Sequence, residues 1–146
     1  LNTYFDTGVL VKLYCIETNT PEAVKLAGQF IPPIAFTHWQ EIEIRNALRL
    51  KLFRKEVTAV ELKKGLSNLD TDIASGLLQK VSYDIASVFR KANELSESHS
   101  ASLGCRTLDI LHVAAAVVIG AKIFVTFDAR QAALATKAGL KVKAQA

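Results

Sequence analysis

The chain has 146 residues, one domain's worth, since domains run about 100–200 residues. Half of its residues are apolar, 22% are charged and two are cysteines, which excludes a disordered, collagen-like or low-complexity chain and a disulfide scaffold. The net charge of +4 permits a polyanionic partner without demanding one.

The pattern alternates short strands with longer helices, within a single expected domain over 1–146. Residues 2–6 form a short apolar run that ends in Asp6. Val9, Leu10, Leu13 and Tyr14 then recur at helical spacing over 7–16. Asn19, with Pro21 and Glu22, reads as a capped helix start, and that helix runs to about Phe30. Pro32 and Pro33 break the chain before a buried strand at 34–36. A long helix is expected from His38 to about Lys55, and a second from Thr58 to about Ile73 pairs with it as a hairpin. Residues 77–81 are a strand candidate, and 82–84 cap a helix to about Ser98. The small polar residues of 98–103 read as a loop. The 107–119 helix is apolar nearly all round, hence buried, and Gly120 ends it. A β-branched strand covers 122–127, Asp128 opens a helix that Gly139 stops, and 140–143 is a last strand.

Strands separated by helices imply an α/β fold, a three-layer α/β/α sandwich with a central, mostly parallel sheet. Ligands of such folds bind beyond the carboxyl ends of the strands. The longest uncharged apolar stretch, 110–121, falls short of the roughly 20 residues of a membrane span and contains His112, so it reads as a core helix. No basic segment followed by an apolar run opens the chain, so no signal peptide is expected and cytoplasm is the default compartment. The chain begins with Leu1 and holds no Met, which leaves open whether a starting Met was removed or altered. Cys15 and Cys105 have apolar neighbours and are expected to be small core residues.

Two strands end directly in an aspartate, Asp6 and Asp128, and Asp109 lies in the first turn of the apolar helix. Singly, each reads as a helix cap or first-turn acid, a cap being worth about 0.5–2 kcal/mol. Asp109 fits this least, because Thr107 is available as the cap and a long uncharged run follows. Three acids on one rim would repel one another, and a divalent cation would hold them. Carboxylates with water suit Mg²⁺ or Mn²⁺ rather than zinc. His38, His99 and His112 show no metal-binding spacing, and His112 on its apolar helix reads as a hydrogen-bonded core residue. A fourth acid comes from the long helix. Glu43 stands between Ile42 and Ile44, Glu41 points to another face, and periodicity favours Glu43 only slightly.

Four segments then carry a resemblance: YFDTGVLVKLY at 4–14, EIRNAL at 43–48, TLDILHVAAA at 107–116 and VTFD at 125–128. In order and spacing the chain resembles the PIN domain, and more narrowly the VapC-type toxins of prokaryotic toxin–antitoxin pairs. The resemblance spans essentially the whole chain, with an acid in place in every segment. The one variation is Gly8, where many relatives carry Ser or Ala.

The resemblance implies a metal-dependent endoribonuclease, the toxin of a type II, VapBC-like pair, with Mg²⁺ (or Mn²⁺) as cofactor. Its four acids fall on Asp6, Glu43, Asp109 and Asp128. Asp6 and Asp109 are then the main metal ligands, with Asp128 helping directly or through water. Such a metal polarises the scissile phosphate and lowers the pKa of a bound water. Glu43 orients or deprotonates that water, and Thr7 and Thr126 hydrogen-bond the carboxylates or bound waters. An acidic site for RNA also needs positive charge nearby. Arg45, Arg49, Lys51, Arg54 and Lys55 share the helix of Glu43, while Lys12, Arg106 and Arg130 flank the other acids. Of these, Lys12, Arg45, Arg49, Arg106 and Arg130 are the candidate phosphate contacts. Trp39, Phe53 and Tyr83 serve equally well as stacking or core residues. The resemblance further implies a homodimer and a cognate antitoxin, for which the helix pair 39–53 and 58–69 offers an apolar groove.

Three rival readings differ in class. A receiver-like phosphoacceptor would need paired acids at the first strand and an Asp ending a mid-chain strand, whereas 77–81 leads into Ser82 and Tyr83. A PIN-like domain that binds RNA or protein without cutting would be signalled by a lost acid. A PIN nuclease of RNA processing would act outside any toxin pair.

Overall fold

The computed structural model describes residues 1–144. Residues 145 and 146 of the expected domain lie outside the described residues. The described chain packs as two compact units: Leu1–Asp6 together with the chain from Val81 onward, and Thr7–Lys80.

The first unit is built on three parallel strands, β1 (Thr3–Phe5), β4 (Ile123–Val125) and β5 (Lys141–Lys143), with β4 in the middle. Parallel strands need covering helices because both faces exclude water. Here α5 (Ile85–Leu95) packs on α7 (Thr107–Val118), and α7 packs on α8 (Ala129–Lys137). The core joins Tyr4 and Phe124, stacked at 5.6 Å, to Val113–Ala116 of α7 and to Leu134 of α8. The middle of α7, from His112 to Ala116, is buried as its apolar composition predicts, whereas Leu108 in its first turn is exposed. His112 is buried within it and shares a 2.7 Å hydrogen bond with the Tyr4 hydroxyl, so it is a core residue.

The second unit holds β2 (Ile34–Phe36) paired in parallel with β3 (Leu78–Lys80). Around them lie α1 (Thr7–Tyr14), α2 (Thr20–Ala27) and the hairpin of α3 (His38–Phe53) and α4 (Ala59–Ala74). Both hairpin helices start on a reciprocal cap: Thr37 with Gln40, and Thr58 with Glu61. The approach of α4 to α1 requires glycine, since a Cβ on Gly65 would lie 2.5 Å from the Tyr14 carbonyl oxygen. The same helices are joined by the Tyr14 hydroxyl, which donates to Asp72 at 2.6 Å. Burial, with the Asp72 carboxylate beside it, pushes that phenol far above its ordinary range.

Every strand pairing is parallel and the fold is α/β, as the alternation predicts. Four expectations need correction. The segment 98–103 is not a loop. A π-helical turn (Ser96–Ser100) and a short helix α6 (Ala101–Leu103) continue α5, because Leu95 and Leu103 both anchor to the core, and Gly104 at φ 66° ends the run. Asn19 makes no side-chain cap; it sits in the left-handed region, and the Thr20 hydroxyl instead accepts from the Glu17 amide. Thr107 is the first helical residue of α7, and Arg106 takes the cap position. Cys15 and Cys105 are only partly buried rather than core.

Candidate active site

The ladder of β1 and β4 runs one bond past the strands: the Asp6 amide donates to the Val125 carbonyl at 2.8 Å. That bond fixes Asp6 at the carboxyl end of β1, beside the residue where β4 stops. From there Thr126 and Phe127 lead to Asp128, which caps α8 by accepting from the Gln131 amide at 2.8 Å. Asp109 lies in the first turn of α7, where the positive end of the helix dipole favours a carboxylate. Its side chain is 16% exposed and that of Asp128 38%.

Arg106 stands among these acids. The Arg106 Nε donates to Asp109 Oδ2 at 3.1 Å, and its Nη2 stands 3.9 Å from Asp128 Oδ2. Asp109 first, then Asp128 and Asp6, hold the guanidinium above its ordinary value. These three acids therefore act on the same guanidinium, whose side chain is 75% exposed. The partly buried Cys105 thiol nearby is pushed up by burial and by the charges of Asp109 and Asp128.

Gln131 ties the rim together, and the motif reading misses it. This side chain is fully buried. Its Nε2 donates to Asp6 Oδ1 at 3.2 Å, and its Oε1 accepts from the Thr126 hydroxyl at 2.7 Å. The same Thr126 oxygen accepts from the Asp128 amide at 3.0 Å. Thr126 thus reaches Asp6 only through Gln131, and Asp128 through its backbone. A signal was present, since D-x-x-Q at a helix start is a capping pattern.

In the other unit, the Thr7 hydroxyl donates to Glu43 Oε1 at 3.2 Å, and Thr7 follows Asp6 in the chain. Glu41 is engaged elsewhere: Arg45 donates to it at 2.9 Å, and Lys80 bonds its other oxygen. Burial alone would raise the Glu41 carboxyl, but the hydrogen bonds and charges of Lys80 and Arg45 hold it below the usual glutamate value. This separates two acids that periodicity hardly distinguishes. Of the candidate phosphate contacts, Lys12 pairs with Glu17, Arg45 with Glu41 and Asp70, and Arg106 with the acids above. Arg49 and Arg130 are exposed.

A divalent metal fits this rim in kind. The donors of Asp6, Asp109 and Asp128 are all carboxylate oxygens, the set a hard cation takes, and the three already act on one cation. As the side chains stand, no three of His, Cys, Asp or Glu form a metal-holding group among the described residues.

No protein-family model and no curated protein matches this chain. Solved structures do. The crystal structure of FitAcB from Neisseria gonorrhoeae aligns with a TM-score of 0.67 at 14% identity, over 96% of this chain and 95% of that one. That of PAE2754 from Pyrobaculum aerophilum aligns with a TM-score of 0.52 at 18% identity, over 97% and 89%. Among the described residues, no helix is long and apolar enough to cross a membrane. These likenesses show the fold of this chain, an α/β fold of the PIN type.

Proposed function

We propose that this chain is a divalent-metal-dependent endoribonuclease and the toxin of a VapBC-like pair. The observation that supports it most is the rim of Asp6, Asp109 and Asp128, three carboxylates at strand and helix ends acting on one exposed guanidinium. Mg²⁺ or Mn²⁺ there would supply charge stabilisation at the scissile phosphate and an acidified water.

The chain's own residues do the rest. Asp6 and Asp109 hold the cation, and Asp128 assists. Gln131 fixes the Asp6 carboxylate by its amide hydrogen bond, and Thr126 fixes Gln131. Glu43, positioned by Thr7, takes the role of orienting or deprotonating the attacking water. Arg49 and Arg130 are exposed cations suited to RNA phosphates. For the partner, the reading takes a cognate antitoxin on the exposed apolar side chains of α3 and α4, Ile42, Phe53 and Val60, and a homodimer as the working assembly.

A second reading, a PIN-type fold that binds without cutting, is favoured by one observation: Arg106 already neutralises Asp109. One experiment separates them. Purified protein is incubated with a mixed cellular RNA pool in Mg²⁺, Mn²⁺ or EDTA. Discrete products that require the metal are expected. A folded, antitoxin-free protein that cuts under none of these conditions would overturn the nuclease reading in favour of binding alone.

A further inference from the structure

We propose that Arg106 is a tethered counter-cation: its guanidinium bonds the acids that a divalent ion would bind, so that metal loading is an exchange against this side chain. The proposal rests on the reading of the rim as a metal site. Arg106 sits at the cap position of α7, three residues before Asp109, so one helical turn brings its guanidinium onto that carboxylate. From there it also faces Asp128 at 3.9 Å. A guanidinium is always charged and cannot be neutralised by deprotonation. It can leave the acids only by moving, and its 75% exposure gives it room to move.

The contact limits the repulsion that would otherwise build up between acids sharing a rim. It also makes the acids worse ligands, because the Asp109 oxygen that Arg106 bonds has to be given up before a cation can use it fully. Once displaced, the guanidinium stands at the edge of a site whose proposed substrate is an anion. The same side chain then has a second use as a phosphate contact, which the sequence assigns to it.

The test is direct Mn²⁺ binding, read from the paramagnetic resonance of free Mn²⁺, with fold checked by circular dichroism. Arg106→Gln is expected to bind Mn²⁺ about two- to fivefold tighter than the natural chain, the scale of one exposed ion pair. Asp109→Asn is expected to lose the binding. Arg130→Gln removes an equal charge from a neighbouring exposed position and is expected to change affinity less. Unchanged or weaker binding in Arg106→Gln, with Asp109→Asn still defective, would overturn the counter-cation and leave the metal site standing. Equal tightening in Arg130→Gln would also overturn it, since the effect would then be one of net charge. No Mn²⁺ binding in any of the four proteins at millimolar concentration would remove the metal site itself, and this proposal with it.

Discussion

Glu41 and Glu17 in one unit and the rim aspartates Asp6, Asp109 and Asp128 in the other meet their cations differently. In Thr7–Lys80, Glu41 meets both Arg45 and Lys80, and Glu17 meets both Lys12 and Lys51. In the unit that holds β1, β4 and β5, Asp6, Asp109 and Asp128 act on one arginine, itself largely in water. Acids that serve structure bring their own cations. Carboxylates that converge on an exposed, movable cation are of the kind a divalent metal can take over, and this contrast supports the proposed function.

The sharpest way to break the contrast is to neutralise an acid of the shared rim. Asp6→Asn or Asp109→Asn is expected to lower RNA cleavage at least about a hundredfold, since even residues that merely support metal ligands cost 10–100-fold. Thermal unfolding of either variant should stay near the natural value, because removing one charge also relieves repulsion on the rim.

Gln131→Ala comes next. It strips Asp6 of an amide donor and leaves the buried Thr126 hydroxyl short of an acceptor. We expect about 1–3 kcal/mol of lost stability in urea titration, together with a 10–100-fold loss of cleavage. Stability lost with cleavage untouched would make Gln131 a packing residue only. Gly65→Ala, in the other unit, is expected to destabilise by about 1–3 kcal/mol, because its methyl meets backbone rather than a side chain that can turn away.

The smallest effect is expected at Glu41. Its carboxyl is held below the ordinary 4.5 by Lys80 and Arg45 despite burial. The folded protein therefore holds that proton less readily than the unfolded chain. The resulting stability is fully present above about pH 4.5 and is lost as the pH falls through the lower folded value. Glu41→Gln should cost about 1 kcal/mol at neutral pH, and the gap to the natural chain should close in acid. A gap that holds constant from pH 7 to pH 3 would show that the ion pairs are not its cause.

The parts of this account that were legible in the sequence are those carried by short-range pattern. Asp6 and Asp128 are readable because β-rich runs stop at them, and α7 because its apolar face has no polar interruption but His112. The caps of α3 and α4 are equally local, as T-x-x-Q and T-x-x-E. The 98–103 helix was not legible. Ser and His there favour loops locally, and its helicity depends on Leu95 and Leu103 finding the core. The Arg106 pairing lay partly out of reach as well. Three-residue spacing permits its bond to Asp109, but its approach to Asp128 depends on the three-dimensional meeting of α7 and the end of β4. Periodicity hardly separates Glu43 from Glu41, and the engagement of Glu41 by Arg45 and Lys80 is a tertiary feature that no local pattern carries.

The central claim is tested most directly by RNA cleavage in Mg²⁺, measured side by side for Asp109→Asn and Glu41→Gln. Both replace one acid with its amide, one on the shared rim and one in the matched network. The account predicts that Asp109→Asn loses cleavage and Glu41→Gln keeps it. Cleavage that survives in Asp109→Asn, or falls equally in both, would contradict it.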